Sequence, residues 1–379
     1  MKKFCSIYIH IPFCKSKCYY CDFNSYAGLS DCIGLYFECL NKEIKDLVKK
    51  LKGYKIKTIF IGGGTPSYVD VSYIYDMLDC LYNNFDIIKD TEITIEVNPG
   101  TIDYEKLSIY KKANINRLSM GLQSTNDYIL KKIGRIHTYK DFLDNFRLAR
   151  SVGFSNISVD LMFGIPFQTY DDWKKSLHDV SRLNPEHLST YSLTIEPGTV
   201  FGDMYNKGEI SYLDDSLDRD MYHHAIDFLR EHGYNQYEIS NFSKDGFCSK
   251  HNKVYWNSEI YIGLGAGAHS YFEDTRYSNV ESVKDYINRI KTNDSIRENI
   301  ERISKEREIS DYIILRLRLI EGVNKLKFKE RFGLDFDSLY KTKVEKLVCD
   351  GLITNDKIGV RLTNKGLDFA NLVFVEFLD

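Results

Sequence analysis

The sequence contains IYIHIPFCKSKCYYC at residues 7–21, where an apolar run leads directly into three cysteines. The β-branched residues at 7–12 predict a buried strand. Cys14, Cys18 and Cys21 follow it with the spacing C-x3-C-x2-C. Three thiolates within so short a segment can wrap one metal centre, and ligation by sulfur alone is typical of zinc or iron–sulfur sites. The stretch therefore predicts a strand that carries a metal-binding loop at its carboxyl end.

The number of cysteines in this loop separates the candidate metals. A structural zinc site needs four protein ligands, and no fourth ligand stands at a finger-like spacing downstream. Three ligands suit a [4Fe–4S] cluster whose fourth iron is left open. The segment from Cys18 to Asp22 is not C-x-x-C-H, so covalent attachment of c-type haem is not indicated. We predict a [4Fe–4S] cluster on Cys14, Cys18 and Cys21.

Downstream of the loop, β-branched runs alternate with amphipathic helical patterns up to about residue 197. The predicted strands are 7–12, 57–61, 92–97, 117–122, 155–162 and 187–195, and the predicted helices are 30–51, 71–81, 139–152 and 170–183. Strand–helix repeats of ~30 residues favour parallel βαβ units. Six such units predict an α/β fold with an open, partial barrel rather than a closed eight-stranded one.

Three domains are expected: the barrel at 1–198, an associated extension at 199–300, and an α+β domain at 301–379. The last combines helices at 309–319 and 337–350 with two short strands near 353 and 360–362, which is typical of a winged helix. Residues 300–379 hold 15 Lys/Arg against 14 Asp/Glu, and the whole chain has a net charge of −3. Such balanced charge argues against phosphate binding, so we expect no nucleic-acid partner.

The sequence has no apolar stretch approaching the ~18 residues that span a bilayer. The apolar run near the amino terminus is interrupted by His10, and no small-residue cleavage site follows it. We expect a cytoplasmic protein with reduced thiols and at most a peripheral association with membranes.

Tyr8-Ile-His-Ile-Pro-Phe-Cys14, taken with the three cysteines, resembles the radical S-adenosylmethionine (SAM) superfamily and, within it, the oxygen-independent coproporphyrinogen III oxidase family. The similarity extends through nearly the whole chain. It implies a partial (β/α)6 barrel of the triosephosphate-isomerase (TIM) type with a C-terminal extension, in agreement with the six strands. It also implies SAM at the carboxyl ends of the strands, where barrel sites lie, with its methionine part on the open iron.

The resemblance extends to residues that follow successive strands. The segment Gly62-Gly63-Gly64-Thr65-Pro66 resembles the family's segment for the SAM amino group, and its glycines permit close approach of the backbone to a ligand. By position, Glu96, Gln123, Arg135 and Asp160 match the family's contacts to ribose, carboxylate and adenosine. The cofactor-binding residues implied for the barrel are Tyr8, Tyr20, Gly63, Gly64, Thr65, Glu96, Gln123, Arg135 and Asp160.

Two departures separate the chain from the oxidases themselves. The cysteine motif of those oxidases resembles C-x3-C-x2-C-x-C, whereas Phe23 stands at the position of the fourth cysteine in this chain. The oxidases also carry an arm before their first strand, and no such arm is expected here. The sister branch of haem chaperones carries H-N-x-x-Y-W, which His251, Asn252, Tyr255 and Trp256 match. Imidazole can ligate haem iron, aromatic rings can pack on a macrocycle, and Asn252 can hydrogen-bond a propionate. We therefore expect these four residues to form a haem pocket.

A second glycine segment, from Gly263 to Ala268, fits G-x-G-x-x-A. The residues after it, 269–277, do not form a helical pattern, so a dinucleotide site is not indicated. The segment resembles one that borders the family's substrate cavity.

The expected function is that of a haem chaperone that binds haem, a [4Fe–4S] cluster and SAM and passes haem to acceptor haemoproteins, respiratory ones among them. The alternative is oxidative decarboxylation of coproporphyrinogen III to protoporphyrinogen IX. A third hypothesis, a metal-stabilised scaffold without SAM, is disfavoured by Glu96, Gln123 and Asp160. Productive turnover of SAM, and hence enzyme activity, stays open, as does the oligomeric state, monomer or dimer.

Overall fold

The computed structural model describes residues 3–378. Its first half is built from strand–helix units, as the alternating sequence pattern predicts. The strands are β1 (Lys3–Ile11), β2 (Phe13–Cys14), β3 (Tyr26–Ala27), β4 (Tyr54–Gly63), β5 (Asp86–Val97), β6 (Arg117–Gln123), β7 (Ile157–Phe163) and β8 (His187–Ser192). The helices are α1 (Ile33–Asp46), α2 (Val71–Asn84), α3 (Tyr104–Lys112), α4 (Asp127–Lys132), α5 (Tyr139–Ser151) and α6 (Tyr170–Ser181).

Six of these strands lie side by side in the order β1-β4-β5-β6-β7-β8, and every neighbouring pair is parallel. This confirms the six predicted units. Helices α5 and α6 begin at capping boxes formed by Thr138 with Asp141 and by Thr169 with Asp172. Helices α3 and α4 were not predicted, because each buries only two residues and so has a short apolar repeat.

The side chains of each strand alternate between the two faces of the sheet. On β1, Ile7 and Ile9 join the apolar cluster that packs under the helices. Ser6 and Tyr8 point to the other face, where Ser6 hydrogen-bonds with Thr58 and the Tyr8 ring stacks on Phe60 at 6.2 Å. The interior of the partial barrel is therefore lined by polar and aromatic groups.

The chain continues beyond the six units and extends the same sheet at both edges. The next elements are α7 (Val200–Asn206), α8 (Asp215–Glu231), β9 (Asn235–Glu238), β10 (Asn241–Ser243), α9 (Lys250–Trp256), β11 (Tyr261–Leu264), β12 (His269–Phe272), β13 (Thr275–Asn279), α10 (Val283–Thr292) and β14 (Arg297–Arg302). Strand β11 pairs in parallel with β1, so it adds a seventh parallel strand that the sequence pattern did not predict. Antiparallel strands complete the sheet, β10 and β9 beyond β8 and β12 to β14 beyond β11.

The last part of the chain has its own apolar cluster, drawn from residues 309–377. Its elements are α11 (Lys305–Leu317), β15 (Val323–Asn324), α12 (Lys325–Phe332), α13 (Phe336–Cys349), β16 (Ile353–Asn355), β17 (Gly359–Leu362), α14 (Asn364–Asp368) and α15 (Ala370–Val375). The predicted wing is present as the antiparallel pair β16–β17, and β15 joins it as a third strand. Among residues 3–378, no helix is both long and apolar enough to cross a bilayer.

Candidate cofactor site

A cavity of about 320 Å³ lies at the carboxyl ends of the parallel strands. This volume is at the lower end of the range of small-molecule sites. The cavity brings together eleven of the sixteen residues that the sequence singled out: Cys14, Cys18, Tyr20, Cys21, Gly63, Gly64, Thr65, Glu96, Gln123, Arg135 and Asp160. They converge because the carboxyl ends of parallel strands meet at one edge of a sheet.

The three cysteines of the loop line one wall of this cavity, and all three are free thiols. Cys14 accepts a hydrogen bond from Thr65 Oγ1 at 3.4 Å. Burial raises the pKa of the Cys14 and Cys21 thiols, so a metal would be needed to hold them as thiolates. Within residues 3–378, no three His, Cys, Asp or Glu side chains converge on a single-ion site. A four-iron cluster offers a separate iron to each thiolate, so three thiols around one cavity fit it.

The glycine segment at the end of β4 holds the start of the cysteine loop in place. The backbone amides of Gly64 and Thr65 donate to the carbonyls of Ile11 and Phe13 at 2.9 and 2.8 Å. A Cβ atom at Gly64 would lie 2.8–2.9 Å from backbone atoms of those two residues. Only glycine therefore permits this close approach, which places the loop of Cys14 against the end of the neighbouring strand.

Two carboxylates line the cavity, that of Glu96 from β5 and that of Asp160 from β7, with β6 between the two strands. Glu96 accepts a hydrogen bond from the backbone amide of Gly63 at 3.0 Å. Burial, together with the negative charge of Asp160, raises the pKa of Glu96 to about 7, and burial also raises the pKa of Asp160. Carboxylates in such a cavity can accept hydrogen bonds from the hydroxyl groups of a sugar, which would replace the water that burial has removed.

A cationic side chain, that of Arg135, lines the same cavity. Arg135 donates to Asn98 Oδ1 at 2.8 Å and to the Tyr20 hydroxyl at 2.9 Å, and its Nε has no partner among the described residues. Gln123 has a φ of +75°, a strained conformation of the kind that clusters at ligand sites, and it accepts a hydrogen bond from the Tyr191 hydroxyl at 2.9 Å.

Asn98 and Tyr191 line the same cavity but were not among the predicted site residues. Asn98 follows β5 directly, so the rule that placed Glu96 at a strand end could also have found it. Tyr191 carries no comparable signal, because a tyrosine near the end of a strand is typical of core packing as well.

The segment of His251 lies at the opposite end of the barrel interior. The backbone amides of Lys250 and His251 donate to the carboxylate of Glu92 at 3.0 and 2.9 Å. His251 Nδ1 lies 2.8 Å from Thr58 Oγ1, and Nε2 lies 2.8 Å from the Tyr255 hydroxyl. Burial lowers the pKa of His251 to about 3, so the ring is neutral and both nitrogens are occupied. Iron ligation by His251 stays a prediction that would require one of these hydrogen bonds to break.

The other residues of this motif are separated from one another. Trp256 packs under the Arg318 guanidinium at 4.5 Å and does not line the cysteine cavity, and the backbone amide of Asn252 donates to Ser249 Oγ at 3.3 Å. Tyr255 instead lines a second cavity of about 400 Å³, together with Tyr8. This second cavity is lined by Tyr8, His10, Phe23, Asn24, Gly63, Glu96, Tyr255, Tyr261, Gly267, His269 and Glu281, so it shares Phe23, Gly63 and Glu96 with the cysteine cavity.

Comparison with known proteins identifies the family of this chain. Residues 8–180 match the radical SAM superfamily, and residues 303–369 match the HemN C-terminal domain. A Bacillus subtilis protein named "Heme chaperone HemW" is 41% identical over 98% of this chain and 99% of its own length. The chain belongs to the HemW family. A second family member of that name, from Escherichia coli, is 34% identical over 98% of both chains.

The structure is also similar to that of the coproporphyrinogen III oxidase HemN from Escherichia coli, with a TM-score of 0.86 over 99% of this chain and 90% of that one. At 24% identity this likeness concerns the fold, and it confirms the radical SAM type of partial barrel. Membership in the HemW family, with its radical SAM domain, implies a [4Fe–4S] cluster and SAM as cofactors.

Proposed function

We propose that this protein is a haem chaperone of the cytoplasm, which binds haem and transfers it to acceptor haemoproteins. Full-length relatives named "Heme chaperone HemW", 41% and 34% identical, support the proposal. The observation that carries it is the second cavity, where tyrosine and histidine side chains surround a space directly beside the cysteine cavity. Aromatic walls suit a porphyrin, and an imidazole suits its iron.

In this proposal the first cavity holds the cluster and SAM. Cys14, Cys18 and Cys21 would each bind one iron, and the segment Gly63–Thr65 would bind the methionine part of SAM. Bound together, the cluster and SAM supply reductive cleavage of a carbon–sulfur bond. The remaining contacts would come from side chains that the cavity already orients: Tyr20, Glu96, Gln123, Arg135 and Asp160.

Two side chains of the motif have clear uses in this proposal. Tyr255 would form a wall of the haem pocket, and Tyr8 would form another. His251 would orient Tyr255 through the hydrogen bond to its hydroxyl. Direct contacts of Asn252 and Trp256 with haem stay predictions, because neither residue lines the second cavity.

Phe23 favours the chaperone over the oxidase. It stands where the oxidases carry a fourth cysteine, its side chain is 62% exposed, and it lines both cavities. A phenyl ring there adds an apolar surface next to the pocket and offers no thiol for chemistry on a porphyrinogen.

The test is anaerobic reconstitution with iron, sulfide and SAM, followed by separate assays with haemin and with coproporphyrinogen III. We expect stoichiometric haem binding, transfer of haem to an apo-haemoprotein, and no loss of carboxyl groups from coproporphyrinogen. Stoichiometric decarboxylation of the propionate side chains would establish the oxidase function instead. Failure to bind or to transfer haem would contradict the proposal directly.

A further inference from the structure

The second cavity contains two histidines, and they differ in what their ring nitrogens contact. His10 is fully engaged, since Nδ1 lies 2.9 Å from the Tyr8 hydroxyl and Nε2 lies 2.7 Å from the carbonyl of Asn24. His269 is exposed at the mouth of the cavity, and its ring makes no hydrogen bond with any residue in 3–378. His269 is therefore the lining imidazole that could bind a ligand without breaking an existing contact.

The tyrosines of the cavity are less suited to binding iron. The hydroxyl of Tyr8 contacts His10, and the hydroxyl of Tyr255 contacts His251. Burial raises the pKa of Tyr261, which opposes the phenolate form that iron ligation needs. The rings of Tyr255 and Tyr261 meet edge to face at 4.7 Å and form an aromatic wall. These side chains fit contact with a macrocycle better than coordination of its metal.

A rigid scaffold positions His269. His269 is the first residue of strand β12, where it pairs with Ser278 of β13. The carbonyl of the preceding residue, Ala268, accepts a hydrogen bond from the backbone amide of Asn279 at 2.9 Å. The buried carboxylate of Glu43 holds the adjoining glycine segment, because it accepts from the amide of Gly265 at 2.9 Å and from Asn279 Nδ2 at 2.8 Å. The imidazole thus projects from a strand end whose backbone is fixed on both sides, and a preorganised ligand loses little entropy on binding.

The charges around the cavity indicate how a haem would be oriented. Its lining includes the acidic residues Glu96 and Glu281 and no Lys or Arg. The two propionates would be repelled from this lining, so the apolar edge of the macrocycle enters first and the propionates stay in solvent. This orientation places the iron near the mouth of the cavity, where His269 lies.

We propose that His269 is the axial ligand of haem iron in this protein. The inference rests on the proposed function and adds the residue that binds the metal. It gives the second glycine segment a use, since Gly263–Ala268 then leads to the iron ligand. It also separates the roles of two histidines. His251 orients Tyr255 through the hydrogen bond to its hydroxyl, and His269 coordinates the iron at the mouth of the second cavity.

The test compares haem complexes of the wild type with those of His269→Ala and His269→Cys by absorption and electron paramagnetic resonance spectroscopy. We expect His269→Ala to weaken haem binding by at least about tenfold, since even changes next to a metal ligand commonly do so. Added imidazole should restore the wild-type spectrum of this variant. His269→Cys should produce the spectrum of thiolate-ligated haem, which a merely structural role of His269 would not produce.

The matched control is His178→Ala, which removes an exposed histidine on α6 and should leave the spectrum unchanged. Wild-type spectra in both His269 variants would overturn the assignment while leaving the chaperone function intact. Loss of the wild-type spectrum in His251→Ala alone would transfer the ligand role to His251. A wild-type protein that bound no haem would overturn the function and the ligand assignment together.

Discussion

Glu92 and Glu96 lie on the same face of strand β5, two repeats of the alternating pattern apart, yet their surroundings differ. The carboxylate of Glu92 accepts two backbone hydrogen bonds from the start of α9, which closes the barrel interior at that end. The carboxylate of Glu96 accepts one backbone hydrogen bond and faces two cavities. At the end of Glu92, the protein itself supplies the hydrogen bonds that the carboxylate needs. At the end of Glu96, polar groups remain available to a ligand.

This difference separates structural from ligand-binding roles more reliably than motif membership does. His251 belongs to the segment that the sequence linked to haem, but its ring is held between Thr58 and Tyr255. His269 belongs to no such segment, and its ring, at the mouth of the second cavity, hydrogen-bonds to none of residues 3–378. Substitutions at the two ends of the barrel should therefore affect different properties of the protein.

Cys18→Ser should abolish assembly of the [4Fe–4S] cluster, because it removes one of three iron ligands at the open end. Iron and sulfide content after anaerobic reconstitution, with the spectrum of the reduced cluster, measures this. Cys349→Ser is the control, since Cys349 is exposed in α13 and far from the loop in sequence. A full cluster in Cys18→Ser would contradict the assignment of the loop.

Glu96→Gln should change how stability depends on pH in the cofactor-free protein. The pKa of Glu96 is raised from 4.5 to about 7, so its ionisation destabilises the fold as pH rises through that window, and the full cost applies above it. Glutamine removes this cost of about 3–4 kcal/mol, at roughly 1.4 kcal/mol per pKa unit. Urea unfolding of both proteins at about pH 5 and pH 8 tests this.

The variant should gain stability relative to the wild type mainly at the higher pH. The exposed Glu209→Gln is the matched control and should show a much smaller change. An equal effect of Glu96→Gln at both pH values would mean that Glu96 is not destabilised by its burial.

Gly64→Ala should lower stability by about 1–3 kcal/mol, because the new methyl group overlaps backbone atoms of Ile11 and Phe13. The displaced loop should also retain less cluster, as measured by iron content. Gly34→Ala in α1 places a methyl group 3.1 Å from the Tyr73 hydroxyl, which can move, and should leave cluster content unchanged. Equal iron content in the two variants would show that the glycine segment does not position the loop.

Thr58→Val acts at the closed end and should leave cluster content and SAM binding unchanged. It removes the hydroxyl that contacts His251 and Ser6, and leaving buried polar groups unpaired costs about 1–3 kcal/mol. Thermal unfolding measures the loss, with the exposed Thr354→Val as the control. A loss of cluster in Thr58→Val would break the distinction between the two ends.

The sequence alone predicted much of the cysteine cavity, because its residues follow strand ends. Once parallel strands are assigned from β-branched runs, geometry brings Gly63, Glu96 and Gln123 to one edge of the sheet. Asp160 was predicted as a site residue because burying a carboxylate within an apolar strand costs free energy unless it has a partner. These inferences depend on neighbours within a few residues along the chain, and local periodicity contains that information.

The tertiary structure alone decided where the later segments lie. Strand β11 pairs with β1, so that Gly263 lies beside Tyr8 across more than 250 residues of chain. That pairing brings His269 to the mouth of the second cavity, and the packing of α9 under Thr58 turns His251 inward. Burial and hydrogen-bond partners arise from contacts between distant segments, so no local pattern could distinguish the occupied imidazole from the free one.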